Sequence, residues 1–264
     1  MTQGERCRIC GAAASEFGRA QILNSLEVDY FRCEVCGFVQ TEKPYWLEQA
    51  YTHAISETDL GLITRNVGFA ALTAAVIASL FDADGRFLDW GGGYGILVRL
   101  MRDRGFDFYR HDPLCENLFA RGFDSDGTDP VELVTAFEVL EHLPNPREEL
   151  RRITSITNHM LVSTVLLPEP PPLPGDWWYY APEGGQHVSL YSRRALSLLG
   201  DSVDMYVSSN RAASLHLLTR SRRAARLFPL VAAPVAVHLA DLVRRRRPSL
   251  LADDYARVAR TPLG

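Results

Sequence analysis

The glycine-rich stretch "DWGGGYG", from Asp89 to Gly95, most constrains what this chain can fold into. It follows "RFLDW", which has the apolar pattern of a buried strand, and it precedes "ILVRLMRDRG", which is amphipathic at helical spacing. Residues 66–80, "NVGFAALTAAVIASL", have the composition of an apolar, alanine-rich helix before that strand. Three later segments have the composition of further strands: "FDFYRHD", the start of "ELVTAFEVLEHL", and "HMLVSTVLLP". Alternating strands and helices predict a parallel sheet covered by helices on both faces, which is an α/β fold.

The loop after the first strand of such a sheet lies at its carboxyl edge, where open α/β sheets bind ligands. Glycines there let the backbone approach a ligand, and the next helix offers free N–H groups. The following strand ends in Asp112, 23 residues after Asp89, where a carboxylate can accept hydrogen bonds from both hydroxyls of a ribose. This combination predicts a site for a nucleoside-containing cofactor. NAD is disfavoured, because the G-x-G-x-x-G pattern needs a glycine where Ile96 stands.

The pattern acid-x-G-x-G-x-G is formed by Asp89, Gly91, Gly93 and Gly95. With this pattern and with "FEVLEHLPNP", residues 137–146, the chain resembles the class I S-adenosylmethionine (SAM)-dependent methyltransferases over residues 66–220. The resemblance implies a Rossmann-like, doubly wound, mostly parallel seven-stranded sheet, with SAM as the cofactor. The residues that it implies for cofactor binding are Asp89 near the methionine amino group, Gly91, Gly92, Gly93, Tyr94 and Gly95 under the methionine and ribose, Asp112 on the ribose, Pro113 and Leu114 beside the adenine, and Glu138 and Val139 beside the methionine. The Asp-rich stretch "FDSDGTDP" stands where the third strand is expected, and a further adenine contact stays open between Asp124 and Asp126.

Four of the five cysteines form two CxxC pairs, Cys7 with Cys10 and Cys33 with Cys36, separated by 22 residues. Two such turns supply the four thiolates of a tetrahedral Zn²⁺ site, and a glycine directly follows each pair. Two disulfides are disfavoured in a cytosolic chain, and a redox CxxC would need only one pair. We therefore predict structural zinc, which holds the N-terminal module together without touching the chemistry.

The chain divides into four predicted segments. Residues 1–43 form the zinc-binding module, residues 44–65 a helical connector or lid, residues 66–220 the SAM-dependent methyltransferase domain, and residues 221–264 a C-terminal helical extension. The apolar run 227–243 within that extension contains two prolines, His238 and Asp241, and is shorter than the roughly 20 residues of a membrane span. We therefore expect a helix packed on the domain and no transmembrane segment. The N-terminus has no apolar core of a secretory signal, so we expect a cytoplasmic protein.

Candidate catalytic residues follow the fourth and fifth strands. Glu141 and His142 leave the fourth strand, and His187 stands in "GGQHVSLYS" after the fifth. Methyl transfer to a hydroxyl requires removal of its proton, and histidine is the side chain best suited to act as that base near neutral pH. We predict O-methylation with His187 or His142 as the base. The segments 45–62 and 170–191 are expected to bind the acceptor, the second through the aromatic side chains of "GDWWYYAPEGG".

The acceptor is suggested by a narrower resemblance. A four-cysteine zinc module before this domain is similar to the sugar C-methyltransferases that act on nucleotide-linked deoxysugars, which carry a Tyr-x-Glu-His segment followed by an aromatic residue and Ser. His187 and Ser192 match that segment, whereas Gly184 and Gln186 replace its tyrosine and glutamate. We expect a small, sugar-containing acceptor. The C-methylation mechanism loses half of its acid–base set, so O-methylation is preferred.

A metal-dependent alternative uses Glu138, Glu141, His142 and His187. The first three share one face if their segment is helical, and together with His187 they resemble the Glu-x-x-Glu-His metal site of certain small-RNA 2′-O-methyltransferases. That resemblance implies Mg²⁺ at the site.

Two further functions stay open. Some ribosomal RNA methyltransferases also carry a cysteine zinc module, but the net charge of −4 disfavours a nucleic-acid partner. A non-catalytic SAM-binding protein is the second alternative, because "GGQH" departs from the acid–base segment. The oligomeric state is not predicted.

Overall fold

A computed structural model describes residues 5–52, 59–210, 214–243 and 247–260. The strands of these residues are β1 Glu5–Arg6, β2 Ala13–Ile22, β3 Leu26–Cys33, β4 Val39–Thr41, β5 Arg86–Trp90, β6 Asp107–His111, β7 Leu133–Phe137, β8 His159–Ser163, β9 Ser189–Leu190, β10 Tyr206–Asn210 and β11 Leu215–Thr219. The helices are α1 Leu47–Ala50, α2 Leu62–Leu80, α3 Ile96–Asp103, α4 Pro146–Thr154, α5 Arg193–Asp201, α6 Arg222–Val231, α7 Pro234–Val243 and α8 Leu251–Ala259.

The larger sheet has six strands in the order β6-β5-β7-β8-β11-β10. Strands β6, β5, β7 and β8 run parallel, and β11 is antiparallel to β8. In the centre of the sheet, Leu88 pairs with Tyr109 on one side and with Val134 on the other. The predicted α/β architecture is confirmed, and the carboxyl ends of the four parallel strands meet at one edge.

The prediction of seven strands is wrong for the described residues. The expected third strand is reduced to a single parallel bridge between Arg110 and Asp124. The residues that follow form turns, in which the Asp126 side chain accepts hydrogen bonds from its neighbour Thr128 and Gly127 has a φ of 77°. Aspartate and glycine are poor strand formers, so "FDSDGTDP" ends the strand almost as soon as it starts.

The N-terminal residues form a second, antiparallel sheet in the order β1-β2-β3-β4-β9. Its last strand, β9, comes from the segment just after His187, and Val39 pairs with Leu190. One hydrophobic cluster runs through both parts of the molecule: Phe38 of the cysteine module packs on Tyr191, with ring centroids 5.1 Å apart, and both belong to the cluster that holds Leu88. The cysteine module and the larger sheet therefore share a core.

The helices cover both faces of the larger sheet. Residues of α2 from Ala70 to Ile77 are almost all buried, and this helix packs on α3, α6 and α7. Among the described residues, α2 is the one helix that is long and apolar enough to cross a membrane by composition alone. The predicted single helix over 227–243 is divided into α6 and α7, because Pro234 begins a new helix. Of the arginine run 244–247, residues 244–246 lie outside the described part.

Candidate active site

The glycine turn joins β5 to α3 at the carboxyl edge of the sheet. Gly91, Gly93 and Gly95 all have positive φ, of 69°, 52° and 83°, a region that side chains rarely adopt. The Gly91 N–H donates to the carbonyl of His111 at 2.8 Å, which ties the turn to the end of β6. The sequence places glycines here because the turn bends back over the strand end.

Space around the turn differs from one glycine to the next. A methyl group on Gly91 would come within 2.7 Å of the Val139 side chain, and one on Gly95 within 2.6 Å of Asn117. A methyl group on Gly93 would meet no protein atom within 4 Å. The protein therefore packs against two sides of the turn and leaves a cradle at Gly93, where a ligand fits.

Asp89 is buried at the end of β5, and its Oδ1 accepts a hydrogen bond from the Thr135 hydroxyl at 2.7 Å. Burial raises the pKa of the Asp89 carboxyl to about 7, and the Thr135 hydroxyl opposes that shift. Asp89 lines the cavity described below. It is therefore a carboxyl whose charge changes near neutral pH beside the ligand space.

Asp112 braces the turn from the end of β6. Its Oδ2 accepts from the Gly93 N–H at 2.8 Å, and its Oδ1 accepts from the N–H groups of Leu114 at 2.8 Å and Cys115 at 3.1 Å. Arg110, which the sequence analysis missed, is buried and donates to the Gly93 carbonyl at 2.5 Å and to Asp124 at 2.8 Å. Its signal in the sequence was a basic residue within a predicted strand, one position before the strand's end. The Asp124 carboxylate is therefore paired with the Arg110 guanidinium.

A cavity of about 550 Å³ opens at the carboxyl edge of the sheet. It brings together eight of the predicted site residues: Asp89, Gly91, Gly92, Gly93, Tyr94, Glu138, His142 and His187. Six others do not line it: Gly95, Asp112, Pro113, Leu114, Val139 and Glu141. Pro113 and Leu114 are exposed, and Val139 packs beneath Gly91. Both expected acceptor segments reach the cavity: the first through Asp59, Gly61 and Leu62, and the second through Trp178, Tyr179, Ala181, Glu183, Gly184, Gln186 and His187. Residues 53–58 of the first segment lie outside the described part.

Residues at the start of α2 complete the cavity wall and were not predicted. Arg65, Asn66 and Phe69 line it, and the Arg65 guanidinium donates two hydrogen bonds of 2.7 Å to the Asp59 carboxylate. Phe69 stacks on Phe137 with ring centroids 4.2 Å apart. The apolar, alanine-rich pattern of α2 predicted the helix, but it carried no sign of which end faces a ligand.

Glu138 follows β7 with a φ of 53°, a strained value for a residue other than glycine. Its backbone N–H donates to the Ser163 hydroxyl at 2.7 Å, and that hydroxyl donates to the Glu138 carboxylate at 2.5 Å. Ser163 at the end of β8 thus holds both the backbone and the side chain of Glu138 at the cavity.

Glu141, His142 and His187 meet beside the cavity. The two imidazole rings are perpendicular, with centroids 4.9 Å apart. Glu141 is fully buried, and its Oε1 accepts from the Tyr179 hydroxyl at 2.6 Å. His187 Nδ1 lies 2.6 Å from the Tyr179 carbonyl oxygen, and His142 Nδ1 lies 3.1 Å from the Tyr51 hydroxyl. All three predicted catalytic residues therefore lie in one cluster, in which Tyr179 bonds to Glu141 and His187 and Tyr51 bonds to His142.

Burial sets the protonation of this cluster. It raises the pKa of Glu141 to about 8, with the charge of Glu138 adding to the shift. It lowers the pKa of His142 well below the usual range and also lowers the pKa of His187, which its hydrogen bond to Tyr179 partly opposes. Both imidazoles are consequently neutral at pH 7.

The four cysteines of the CxxC pairs converge at one point. Their sulfur atoms all lie within 4.8 Å of one another, and three pairs are 3.5 to 3.7 Å apart. A tetrahedral Zn²⁺ with Zn–S distances of about 2.3 Å requires sulfur separations of about 3.8 Å, so the geometry fits zinc. Gly11 and Gly37 have φ of 76° and 71° and donate to the carbonyls of Cys7 and Cys33. The expected glycine turns after each pair are confirmed.

Residues 65–208, more than half of the chain, match the model of the methyltransferase domain family. The chain belongs to this family. The match confirms the prediction of a methyltransferase, whose glycine turn, Glu138 and histidine cluster all lie within the matched residues. No curated protein matches the sequence.

Several solved structures are similar to this chain at low identity. They include a methyltransferase in calicheamicin biosynthesis in its SAH-bound form (13% identity, 66% of this chain and 61% of that chain, TM-score 0.43), human N-acetylserotonin methyltransferase in complex with SAM (18%, 67% and 66%, 0.41) and an O-methyltransferase family protein from Burkholderia thailandensis (14%, 66% and 62%, 0.46). The chain spans 61 to 66% of the length of these three proteins.

Proposed function

We propose that this protein is a SAM-dependent O-methyltransferase for a small acceptor that contains a sugar hydroxyl. The observation that carries the proposal is the cavity of about 550 Å³, which places the glycine turn and the histidine cluster on one ligand space. A cofactor and a small acceptor bound there together would lie between the turn and the two imidazoles. SAM, when bound, supplies an electrophilic methyl group on its sulfonium.

The residues around the turn suit the cofactor. The open space at Gly93 allows a ligand to contact the protein backbone, as the glycine pattern predicts. Asp89 lines the cavity and offers a carboxylate to the methionine ammonium. Asp112 and Arg110 act as positioning residues, because both bond to Gly93 and so fix the path of the turn. Pro113 and Leu114 stay proposed as the adenine border, on the exposed loop next to Asp112.

His187 is proposed as the base. The Tyr179 carbonyl can only accept a hydrogen bond, so Nδ1 of His187 carries the hydrogen and Nε2 keeps its lone pair. In the reaction, the acceptor oxygen forms a bond to the methyl carbon while the carbon–sulfur bond breaks and its electron pair returns to sulfur. The hydroxyl proton goes to Nε2. His142, beside His187, and Glu141, beneath Tyr179, keep this geometry in place.

The proposed sugar acceptor is supported by the aromatic wall of the cavity. Trp178 is 73% exposed and lines the cavity together with Tyr179. An exposed indole offers an apolar face on which the C–H face of a sugar ring can stack. The paired Arg65 and Asp59 add charged hydrogen-bonding groups to the cavity lining.

We further propose that Cys7, Cys10, Cys33 and Cys36 hold one structural Zn²⁺. Four thiolate ligands leave no open coordination position for a substrate. The cluster lies in the N-terminal sheet and does not line the cavity.

The first test is calorimetric titration of S-adenosylhomocysteine (SAH) and of NAD into the full chain. We expect SAH to bind and NAD not to bind. Asp112→Asn should weaken SAH binding by about tenfold or more, the usual effect of losing charged hydrogen bonds. Asp201→Asn is the matched control, because this exposed aspartate lies outside the cavity, and it should leave the affinity unchanged. Binding of NAD, or of neither ligand, would contradict the proposal.

The second test is SAH release with hydroxyl-bearing sugar nucleotides as acceptors. His187→Ala should lower kcat by about 10²- to 10⁴-fold, the range for loss of a general base, while SAH affinity is retained. SAH binding without turnover of any hydroxyl acceptor would favour the non-catalytic alternative. RNA binding that weakens steeply with salt would favour the RNA methyltransferase alternative.

A further inference from the structure

The cluster of Glu141, His142 and His187 has the arrangement of a metal-binding site. Each residue offers one ligand atom, and these three atoms all lie within 4.8 Å of one another. His142 and His187 both line the cavity, so the cluster forms part of its wall. An ion at this point would lie at the edge of the proposed acceptor space.

The Glu141 carboxylate carries an oxygen that the protein does not satisfy. Glu141 is 0% exposed, and its Oε1 accepts from Tyr179. Its other oxygen, Oε2, is buried and has no hydrogen-bond partner among the described residues. A buried carboxyl oxygen without a partner is costly, and a cation at the cluster would displace the proton of Glu141 and supply the missing partner.

Tyr179 forms an outer shell around the cluster. Its carbonyl oxygen takes the Nδ1 hydrogen of His187, which leaves the Nε2 lone pair available as a ligand. Its hydroxyl holds the other oxygen of Glu141. His142 is oriented in the same way, since its Nδ1 lies 3.1 Å from the Tyr51 hydroxyl. Metal-binding histidines are commonly fixed by such a second hydrogen bond.

We propose that Glu141, His142 and His187 bind one divalent transition-metal ion such as Mn²⁺, which receives oxygen atoms of the acceptor. Two imidazoles and one carboxylate suit transition metals, whereas Mg²⁺ prefers oxygen ligands. Glu138 is not a ligand in this site, because its carboxylate is held by Ser163 and lies outside the cluster. The site therefore differs from the expected four-residue Mg²⁺ site in both its ligand set and its ion.

The ion narrows the class of acceptor. Three protein ligands leave coordination positions open, and an acceptor with two adjacent oxygen atoms, such as a vicinal diol, can fill two of them. This inference rests on the proposed function, since it concerns the same methyl transfer to a hydroxyl. A divalent ion lowers the pKa of a hydroxyl that it contacts. With the ion bound, Nε2 of His187 is a ligand and the hydroxyl proton leaves to water, so the base role proposed above for His187 applies to the metal-free site. The bonds made and broken at carbon and sulfur are unchanged.

The test is titration of Mn²⁺ into the full, zinc-loaded chain, with free Mn²⁺ followed by its electron paramagnetic resonance signal. Mn²⁺ is a hard ion that binds thiolates weakly, and the four cysteines already hold zinc, so they do not compete for it. We expect one Mn²⁺ to bind per chain. Glu141→Gln and His187→Gln should weaken binding by about tenfold or more, and Tyr179→Phe by about 10- to 100-fold through the outer shell. Glu183→Gln, which changes an exposed carboxylate of the cavity lining outside the cluster, is the matched control and should bind Mn²⁺ like the unchanged chain.

SAH calorimetry on the same samples separates the two proposals and reports folding of the variants. SAH binding without Mn²⁺ binding overturns the metal site alone. Mn²⁺ binding that survives Glu141→Gln also overturns it. Mn²⁺ binding by a chain that does not bind SAH supports the site and contradicts the proposed function.

Discussion

Asp89 is the residue whose charge changes closest to neutral pH in the proposed cofactor site. Its pKa is raised to about 7, mainly by burial, so SAH affinity should rise between pH 6 and pH 8 as the carboxylate forms beside the ligand ammonium. The increase should reach about tenfold, the change in the ionised fraction of such a group. Calorimetry at the two pH values measures it, and Asp89→Asn should remove the pH dependence.

Stability should change in the opposite direction from affinity. Because the pKa of Asp89 is higher in the folded than in the unfolded chain, the folded state binds its proton more tightly. The stabilising contribution is complete below about pH 4 and is lost as the pH rises through 7. Urea unfolding of the unchanged chain and of Asp89→Asn, compared across this range, should differ by that contribution. Equal pH profiles for the two proteins would contradict the assignment.

The positions of individual side chains were predictable from the sequence where those residues belong to a motif. The glycines, Asp89 and the four cysteines stand as expected, because turn geometry and metal ligation depend on local spacing. The position of Asp112 was not predictable in detail. Its carboxylate bonds to the N–H groups of Gly93, Leu114 and Cys115, and that depends on the folded path of two loops.

Gly91 and Gly93 offer a test of how the turn works as an element. Both have positive φ, but an added methyl group would meet protein at Gly91, where it would clash with Val139, and would meet none at Gly93. Gly91→Ala should therefore lose about 1–2 kcal/mol from backbone strain and a further 1–3 kcal/mol, roughly, from overpacking. Gly93→Ala should lose the strain energy only, with a larger loss of SAH affinity. Urea unfolding and calorimetry separate the two effects.

The control for this pair is the double variant Gly91→Ala with Val139→Ala. Removing the side chain that the new methyl group meets should recover part of the stability, because the clash disappears while the backbone strain stays. No recovery in the double variant would show that Val139 does not limit the turn.

Elements with strong patterns were predictable, and short ones were not. The strands β5, β6, β7 and β8 and the helices α2 and α3 lie where apolar periodicity indicated them. Strand β9 has only two residues, and it pairs because the cysteine module lies next to it. The predicted third strand is reduced to a single bridge, because its Asp-rich sequence favours turns. In both cases, tertiary context and turn chemistry overrode the expected succession of strands.

On the scale of the whole molecule, the cysteine module is joined to the catalytic region by several contacts. Strand β4 pairs with β9, two residues beyond His187. Arg8, inside the first CxxC turn, donates to the Val188 carbonyl at 3.3 Å, and Ser192 donates to the Cys36 carbonyl at 2.5 Å. A metal ion at the four cysteines would thus be linked to the position of His187 through these contacts.

These contacts predict that loss of zinc destabilises the whole chain. Cys7→Ser should abolish zinc binding and lower the Tm of a single unfolding transition by more than about 5 °C, because a chain of this size shifts by about 2–4 °C per kcal/mol. Methyl transfer should fall further than SAH affinity, since the glycine turn lies on β5 and α3 while His187 adjoins β9. Cys115→Ser, a cysteine outside the cluster, should change none of these quantities. The variant is preferable to a chelator, which would also remove an ion from Glu141, His142 and His187. Two separate transitions, with the larger one unaffected by Cys7→Ser, would show that the module folds independently of the methyltransferase domain.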